Sequence, residues 1–553
     1  MDNQTSSIKV LIAGGGPVGM MMASELSRYG VACRVVDKRP GPIDVTHACV
    51  LWTRTQEVLA AMGIREKWIS HALLLHEMNV YGFGKRLGAI EYEGLDSPYP
   101  QPLLVGQNVT ERLLIEHLDE QGIKVERPVE AVRMQQSADE VVVTLKHEDG
   151  QEEEVHARWL IACEGSKSMI RETLGIPFQG ERYQNYEFVQ ADCGIRWSRP
   201  SGRGYYFLTD GKFLATLPLP LPISDPDRIR VFIARPIVDP NDRSDPTLEE
   251  IQGLMREAVS EDVELSSPIW LSRVRVQRKL ADQYRQGRVF LAGDTAHVHV
   301  PMGGQGMNTG MQDAFNLAWK LAYVINGIAH DTLLDSYQPE RRPVAEQLLK
   351  GTDLTFRTFS EPGVLLRSAI QLAGPLAFRT TIPQKQAVRV LSEIDINYKG
   401  SPLAEEHPVK GGPDAGERAP DATVVKLPEK GTTTLFEVTR STNWNLLLLS
   451  GNEPGADILR QLQDIGNTVT SKYNHAVTPH LILGLTVPPH NLQWSGSTLM
   501  DSELIVHQKY GEKGPSIYLI RPDGYIGFRS TLAQREQLLN YLSNILKEST
   551  IPV

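Results

Sequence analysis

The first forty residues alternate between short apolar runs and a segment of helical period. Ile8 to Ala13 is an apolar run of strand length, and residues 20–28 repeat apolar side chains at helical spacing. A second apolar run, Val31 to Val36, follows that helix. Strand, helix and strand in this order predict a βαβ unit, and therefore an α/β fold with a parallel sheet.

The middle of the chain has a different pattern. From about residue 179 to residue 272, short aromatic and β-branched runs are separated by Pro and Gly, which predicts an antiparallel sheet inserted into the α/β domain. Helical periods return from Met307 to about Glu393. The other periodic segments are a hairpin over His76 to Tyr92, a helix over Thr110 to Gln121, and strands over Glu140 to Lys146 and Glu152 to Ile161.

These patterns divide the chain into three units. Residues 1–178 and 273–393 are predicted to form the α/β domain, and residues 179–272 the inserted sheet. Residues 394–412 are predicted to be a linker, and residues 413–553 a separate C-terminal domain. Within that last domain the predicted buried strands are Asn443 to Leu449 and Ser516 to Ile520.

Glycines follow the first predicted strand. Residues 14–19 read Gly-Gly-Gly-Pro-Val-Gly, which is a G-x-G-x-x-G pattern between a strand and a helix. Asp37 ends the second strand, where a carboxylate can accept a hydrogen bond from a ribose hydroxyl. A G-x-G-x-x-G alone is weak support, but its strand, helix and acid together predict a dinucleotide site. The candidate contacts are Gly14, Gly16, Pro17, Val18, Gly19, Asp37 and Lys38.

A second glycine loop follows a later strand. The apolar run from Arg288 to Ala292 ends in Gly293-Asp294, and residues 301–306 contain three glycines before a helix that starts near Met307. The free N–H groups and positive end of that helix suit a delocalised anion such as a reduced flavin, while Asp294 suits a sugar hydroxyl. The candidate contacts here are Gly293, Asp294, Gly304, Gly306, Met307 and Asn308.

A third segment, Cys163 to Arg171, follows the apolar run Trp159 to Ala162. The three segments in this order resemble the single-component FAD-dependent aromatic hydroxylases, the p-hydroxybenzoate and phenol hydroxylase group. The resemblance covers nearly the whole chain. Two further segments match the family: the R-T-x-E segment Arg54-Thr55-Gln56-Glu57, and Leu334 to Pro343 at the end of the FAD domain. The resemblance also implies flavin contacts from Arg54, Gln107 and Val132. The sequence departs from the family at Glu164, where relatives have aspartate, and at His47, where many have arginine.

The C-terminal segment resembles the thioredoxin-like domain of the phenol hydroxylase branch. The resemblance rests on Gly416 to Asp421 and Ser516 to Gly524. No cysteine follows Cys193, so thiol exchange by this domain is excluded and a role in packing or in contacts of a homodimer is expected. Because every flavin motif lies upstream of residue 412, we expect removal of this domain to leave flavin binding intact.

The resemblance implies an NAD(P)H-consuming monooxygenase. NADPH or NADH would reduce bound FAD, and O₂ would give a flavin C4a-hydroperoxide that hydroxylates a phenolic or polycyclic aromatic substrate. Oxygen insertion of the Baeyer–Villiger type, an oxidase reaction, and a non-enzymatic flavin-binding or partner-docking protein remain alternatives. The candidate catalytic residues are Pro301 beside the flavin, Tyr205 and Tyr206 as a proton relay, and His297, with His299 as its neighbour. A structural role is the alternative for the tyrosines and the histidines.

Composition limits the classes of partner that we expect and indicates the cellular compartment. The chain has 553 residues and a net charge of −10 without a basic block, which disfavours nucleic acid and anionic membranes. Met1 to Lys9 lacks the pattern of a signal peptide, and no apolar run is long enough to span a bilayer. The four cysteines have no metal-binding or CxxC spacing, so we expect no metal site, reduced thiols and a cytoplasmic protein.

Overall fold

The computed structural model describes most of the chain between residues 8 and 549. The residues not described are 1–7, 184, 210, 221–226, 260, 276, 361–366, 369, 373, 375–380, 429, 488, 490–493, 512 and 550–553. The polar N-terminal start therefore lies mostly outside the described residues.

A mostly parallel sheet forms the first domain, as the βαβ pattern predicts. Its strands run in the order Arg285–Gln286, Val289–Leu291, Glu152–Ala162, Ile8–Ala13, Cys33–Val36 and Val125–Glu126. Val141–His147 and Val129–Gln136 extend it as an antiparallel meander from Glu152–Ala162. Ala13 is in register with both Ala162 and Val36, and Ala162 with Leu291, so the carboxyl ends of four parallel strands meet at one edge.

Helices cover this sheet and continue into the C-terminal half. They are α1 (Pro17–Arg28), α2 (Thr53–Ala61), α3 (Glu66–Ile69), α4 (Gln107–Glu120), α5 (Met169–Thr173), α6 (Leu248–Val259), α7 (Gly306–Ile325), α8 (Tyr337–Ser360), α9 (Thr381–Leu391), α10 (Leu435–Thr439), α11 (Ala456–Tyr473), α12 (Ile505–Lys509) and α13 (Arg535–Ile545). Short 3₁₀ turns span Gly293–Thr295, Asp331–Ser336 and Leu532–Gln534. The predicted helix near Met307 is α7, whose buried face packs on α1.

The predicted insert is present, and it is larger than the sequence indicates. Its strands run in the order Glu264–Val274, Tyr186–Arg196, Arg228–Pro236, Lys212–Pro218, Gly204–Thr209, Glu77–Gly82 and Lys85–Glu91. The last two strands are the predicted hairpin from the first domain, which joins through a parallel pair between Gly204–Thr209 and Glu77–Gly82. Such a pairing joins segments more than a hundred residues apart, so local periodicity does not reveal it.

Two small sheets connect these units. One is built from Phe178–Arg182, Gln277–Ala281 and His297–Val298, and the other from Val50–Leu51, Leu103–Leu104 and Leu73–Leu74. The second places the start of α2 beside the cavity described below.

The C-terminal domain is built on a mixed sheet with helices. Its strands run in the order Glu405–Glu406, Ile526–Thr531, Ser516–Ile520, Trp444–Asn452, Val477–Gly484, Ser497–Met500, Thr423–Leu427 and Gly431–Thr434. Both predicted buried strands are present. The predicted linker contributes the edge strand Glu405–Glu406, so this part of it belongs to the domain. The thioredoxin-like assignment stays a prediction.

One hydrophobic core runs through both the sheet of the first domain and the C-terminal sheet. Trp319 of α7 and Trp444 of the C-terminal sheet meet edge to face with ring centroids 5.6 Å apart. The predicted α/β fold with an inserted antiparallel sheet is confirmed. Among the helices that the structure describes, none combines the length and apolar character needed to cross a bilayer.

Candidate active site

The three glycine-containing motifs meet because they follow adjacent parallel strands. Ligands of open α/β sheets bind at this carboxyl edge. The motifs also hold one another: the N–H of Gly165 donates to Thr295 Oγ1 at 3.1 Å, and Arg171 Nη1 donates to the Thr295 carbonyl at 3.1 Å. The segment Cys163–Arg171 is therefore bound directly to the turn that carries Asp294.

A cavity of about 570 Å³ opens at this edge and extends to the inserted sheet. One end is bounded by the first glycine turn and Asp37, and the other by strands of the insert. The sequence-predicted residues that line it are Gly14, Gly16, Pro17, Val18, Asp37, Lys38, His47, Gln107, Glu164, Tyr206, Asp294, Pro301, Gly304, Gly306 and Met307.

The glycines of the first turn have separate tasks. Gly14 has φ +111°, and a Cβ there would lie 2.2 Å from the carbonyl oxygen of Cys163. A Cβ on Gly19 would lie 1.9 Å from the carbonyl oxygen of Gly14, so this glycine lets α1 approach the strand. At Gly16 the nearest atom would be 3.9 Å away, which leaves space on the cavity side. This division fits a dinucleotide turn.

Asp37 is already fixed by the protein. Its Oδ2 accepts the N–H of Gly15 at 2.8 Å, and its Oδ1 accepts the N–H of Arg39 at 2.8 Å. The Arg39 guanidinium adds a contact of 3.0 Å from Nη2. Burial opposes ionisation, but the bonds from Arg39 hold the pKa of Asp37 below its usual value. The carboxylate therefore faces the cavity in a fixed orientation.

The second glycine loop is tied down through its carbonyl groups. Trp52 Nε1 donates to the Gly303 carbonyl at 2.8 Å, and Asn308 Nδ2 donates to the Gly304 carbonyl at 2.9 Å. Among the residues that the structure describes, no acceptor meets the backbone N–H groups of Gly304, Gly306 or Met307. Unpaired N–H groups at a helix start attract an anion.

Asp294 provides an acceptor beside this loop. Its side chain is exposed to the cavity but enclosed by the rest of the protein, and burial raises its pKa above the usual value. Within the described part of the chain its carboxylate has no hydrogen-bond partner. It is free to accept hydrogen bonds from a ligand.

The wall toward the inserted sheet is mainly apolar. Tyr206 faces the cavity, and burial raises the pKa of its phenol to about 12. Arg230 lines the same wall, but its guanidinium is paired to Asp192 through two contacts of 2.7 Å. The apolar residues here are Leu75, Met78, Phe213, Ala215, Leu217 and Phe232, and Gln190 adds a polar group.

Tyr205 and His297 are not in the cavity wall. Since side chains of a strand alternate, Tyr205 points to the opposite face from Tyr206, and its hydroxyl donates to the Pro200 carbonyl at 3.0 Å. His297 is buried against Asp313, with Nε2 2.8 Å from Oδ2. His299 does line the cavity, and its Nδ1 donates to the Val300 carbonyl at 2.7 Å. Burial lowers the pKa of its ring to about 4, so the ring is neutral near pH 7 and Nε2 can accept a hydrogen bond.

Five further candidates lie behind the lining. Arg54 turns away from the cavity toward the C-terminal domain, and Val132 lies one residue beyond the lining strand segment 129–131. Gly19, Gly293 and Asn308 support the two turns from behind the cavity wall.

Several lining residues were not identified from the sequence. They are Arg39, Glu130, Gln190, Arg230 and Tyr92. Gln190 interrupts the apolar run 188–191 and Arg230 the apolar run 229–234, and such an interruption is a signal that sequence reasoning could use.

The hydrogen-bonding groups that line the cavity fit FAD. Two carboxylates, Asp37 and Asp294, suit ribose and ribityl hydroxyls, and the N–H groups at the start of α7 suit the ring when it carries negative charge. Glu164 faces the cavity between them, where burial raises its pKa and Ser168 hydrogen-bonds to it. The wall toward the inserted sheet is mainly apolar, which suits contact with a flat aromatic substrate.

The comparisons with known proteins agree with this geometry. Residues 7–352 match the family described as FAD binding domain, and residues 412–548 match the one described as Aromatic-ring hydroxylase, C-terminal. The first match covers more than half of the chain.

The chain belongs to the FAD-dependent aromatic-ring hydroxylases.

Its relatives in this family include pentachlorophenol 4-monooxygenase of Sphingobium chlorophenolicum, which is 30% identical over 98% of this chain and 97% of that protein. The 6-methylpretetramide 4-monooxygenase of Streptomyces rimosus is 32% identical over 100% of this chain and 96% of that protein. The solved structure of the anhydrotetracycline hydroxylase OxyS from Streptomyces rimosus superposes with a TM-score of 0.76 at 29% identity, covering 99% of both chains.

The predicted activity class and cofactors are therefore confirmed. The protein is an FAD-dependent monooxygenase that uses a reduced nicotinamide nucleotide and O₂. The non-enzymatic alternative is not supported.

Proposed function

We propose that this hydroxylase acts on a phenolic ring of a polycyclic aromatic substrate. The observation that carries this proposal is that one cavity extends from the second glycine loop, before α7, to the mainly apolar wall of the inserted sheet. Relatives named for 6-methylpretetramide and anhydrotetracycline support it, although the relative named for pentachlorophenol acts on a single ring.

For FAD we propose contacts along the whole cavity. The first glycine turn and Asp37 would hold the adenosine end, with Lys38 at its side. Gln107 would contact the flavin portion, and Asp294 would accept a ribityl hydroxyl. Bound FAD supplies the redox chemistry and the activation of O₂. The N–H groups of Gly304, Gly306 and Met307 would stabilise negative charge on the ring system, as oxyanion-hole donors do.

The protein residues around the ring have the task of orienting the substrate and handling its proton. Pro301 would limit the space on one side of the ring, and the apolar wall would exclude water. Tyr206 presents a protonated phenol to the substrate space, and it would relay the substrate proton by releasing its own as it takes that proton up. His299 Nε2 is a second, neutral acceptor at the cavity wall.

The test follows nucleotide oxidation and product mass together. Purified holoenzyme is mixed with NADPH or NADH and a panel of mono- and polycyclic phenols under ¹⁸O₂. Gain of a single labelled oxygen by a polycyclic phenol, matched to the nucleotide consumed, is the expected result.

The other outcomes separate the alternatives. Turnover confined to single-ring phenols would overturn the polycyclic substrate. Insertion of oxygen beside a ketone would identify Baeyer–Villiger chemistry, and peroxide formation without product from any aromatic compound of the panel would identify an oxidase.

We also propose that the protein is cytoplasmic and forms a homodimer. All four cysteines are free thiols, which supports a reducing compartment such as the cytoplasm. A homodimer is tested by light scattering of the purified protein.

A further inference from the structure

The R-T-x-E segment has no direct role in the cavity. Its two charged residues, Arg54 and Glu57, lie in the first turns of α2, which begins immediately after Trp52. Both are buried, with exposed fractions of 5% and 4%. Buried charges of this kind need specific partners.

Arg54 reaches the C-terminal domain. Its Nη2 donates to the carbonyl oxygen of Asp523 at 2.6 Å, and its Nη1 donates to Glu57 Oε2 at 2.9 Å. The guanidinium lies 4.8 Å from the ring centroid of Tyr525. Asp523 belongs to a tight turn, residues 521–524, that enters the interface.

Glu57 is held from the same domain. Arg418 donates to both carboxylate oxygens of Glu57, at 2.8 Å from Nε and 2.7 Å from Nη2. Ser97 adds a bond of 2.7 Å. Both charged residues of the R-T-x-E segment are therefore hydrogen-bonded to the C-terminal domain.

The residue before α2 is attached to the second glycine loop. The Trp52 indole donates to the Gly303 carbonyl, and the Trp52 backbone N–H donates to Asn308 Oδ1 at 2.9 Å. Asn308 in turn binds the carbonyl groups of Gly304 and Val50. A shift of α2 would therefore move Trp52 and the loop whose N–H groups face the cavity.

We propose that Arg54 and Glu57 are positioning residues. Through them the C-terminal domain holds the second glycine loop, which precedes α7, in the position that binds FAD. The domain holds α2 at these two side chains, and α2 holds the loop through Trp52. This inference rests on the proposed role of that loop in flavin binding. The C-terminal domain, which contains no cysteine, would then help to set the geometry of the FAD site.

The chain offers a closely matched control for testing this. Arg529 is also buried with an exposed fraction of 5%. Its hydrogen-bond partners, which include Glu406, Gly411, Pro413, Asp414 and Tyr518, lie in or beside the C-terminal sheet. We compare Arg54→Met with Arg529→Met in the full-length holoenzyme. The readouts are the Kd for FAD, the visible circular dichroism of bound FAD, and the thermal midpoint.

We expect Arg54→Met to raise the Kd for FAD at least tenfold and to change the visible dichroism. Arg529→Met should lower the thermal midpoint but keep the Kd within threefold and the dichroism unchanged. Arg54→Lys should recover part of the affinity, because one N–H donor remains while the forked geometry is lost. Arg418→Gln, which loosens Glu57 from the other side, should resemble Arg54→Met and serves as the test if Arg54→Met does not fold.

The inference is overturned if Arg54→Met, or Arg418→Gln in its place, binds FAD with the Kd and dichroism of Arg529→Met. Gly304→Ala alters the loop itself, at a residue with φ +65°, and an unchanged Kd and dichroism in that variant would instead refute the proposed role of the loop in binding FAD. The two failures are therefore distinguishable.

Discussion

Tyr205 and Tyr206 are neighbours in sequence with opposite surroundings. Tyr206 faces the cavity, whereas the Tyr205 hydroxyl is bound to the Pro200 carbonyl on the opposite face of the sheet. The alternation of a strand predicts that one of the two faces the cavity, but it does not identify which one. That choice depends on register with distant strands.

The pair provides a matched substitution. We expect Tyr206→Phe to reduce kcat/KM for the hydroxylated product about tenfold to a hundredfold, since one hydrogen bond to a reacting group is lost. Tyr205→Phe should keep kcat/KM within twofold. Steady-state kinetics with the substrate found in the panel checks this. Equal losses in the two variants would remove Tyr206 from the proposed proton path.

Glu393 is a buried acid next to the start of α7. It accepts a hydrogen bond from Thr309 Oγ1 at 2.9 Å and another from Gln312, and burial raises its pKa to about 8. Its backbone φ of +61° is unusual for a residue with a side chain, so the surrounding structure fixes this position.

This raised pKa predicts a pH-dependent stability. The folded state keeps the proton while the unfolded state loses it above about pH 4.5, so the contribution is complete below that pH and is lost as pH rises toward 8. Glu393→Gln should flatten the profile, with a difference of about 1.4 kcal/mol at most per pH unit in this window. Urea unfolding at pH 5.5 and pH 7.5 measures it. Parallel profiles of variant and wild type would show that Glu393 is ionised in the fold.

At the scale of elements, the glycine turn between the first strand and α1 shows what local sequence determines. The strand, the glycines and the helix start are all predicted because each depends on neighbours within a few residues. The parallel pairing of Gly204–Thr209 with Glu77–Gly82 was missed because it depends on contacts between distant segments.

Gly19 allows this element to be tested. A Cβ there would lie 1.9 Å from a backbone oxygen, so Gly19→Ala should push α1 from the strand, abolish FAD retention and lower the thermal midpoint. Gly253 is the control, because it lies in α6 with no atom within 4 Å of an added Cβ. Gly253→Ala should be neutral or stabilising by up to about 1 kcal/mol. Retention of FAD by Gly19→Ala would contradict the tight packing at this turn.

At the scale of the whole molecule, Arg54 shows where sequence reasoning fails. The resemblance implies that Arg54 contacts the flavin, but its side chain is turned to Asp523, 469 positions further along the chain. Nothing near Arg54 in the sequence indicates that partner. The cofactor cavity could be predicted in outline because its motifs are local to strand ends. The substrate wall and the domain interface could not, since both are assembled from remote segments.

The interface also contains a buried cluster of charges. Lys320 and Arg521 both bind Glu340, at 2.6 Å each, and Arg521 binds Asp523 at 2.6 Å. Burial opposes ionisation of Glu340, but its two cationic partners hold its pKa below the usual value. Arg521 and Asp523 come from the C-terminal domain, and Lys320 and Glu340 from α7 and α8. Without the domain, Glu340 would lose Arg521, one of its two cationic partners, and would keep Lys320.

This cluster changes the expectation for a truncated chain. The sequence predicts that a chain ending at about residue 412 keeps its flavin, since every flavin motif is upstream. The structure predicts instead that it does not fold cooperatively. Removing one partner of a buried ion pair costs about 3 to 5 kcal/mol. The truncation also exposes the core around Trp319 and removes the C-terminal partners of Arg54 and Glu57, which are Asp523 and Arg418.

Solubility, thermal unfolding and the flavin absorption spectrum of the truncated chain decide between the two expectations. We expect aggregation or a broad transition without bound FAD. As a control, Arg521→Met in the full-length protein removes the central cation but leaves the apolar contacts between the domains, so a cooperative transition at a lower midpoint is expected. A soluble truncated chain with a normal flavin spectrum would show that the FAD domain is independent, and it would also argue against the positioning role of Arg54.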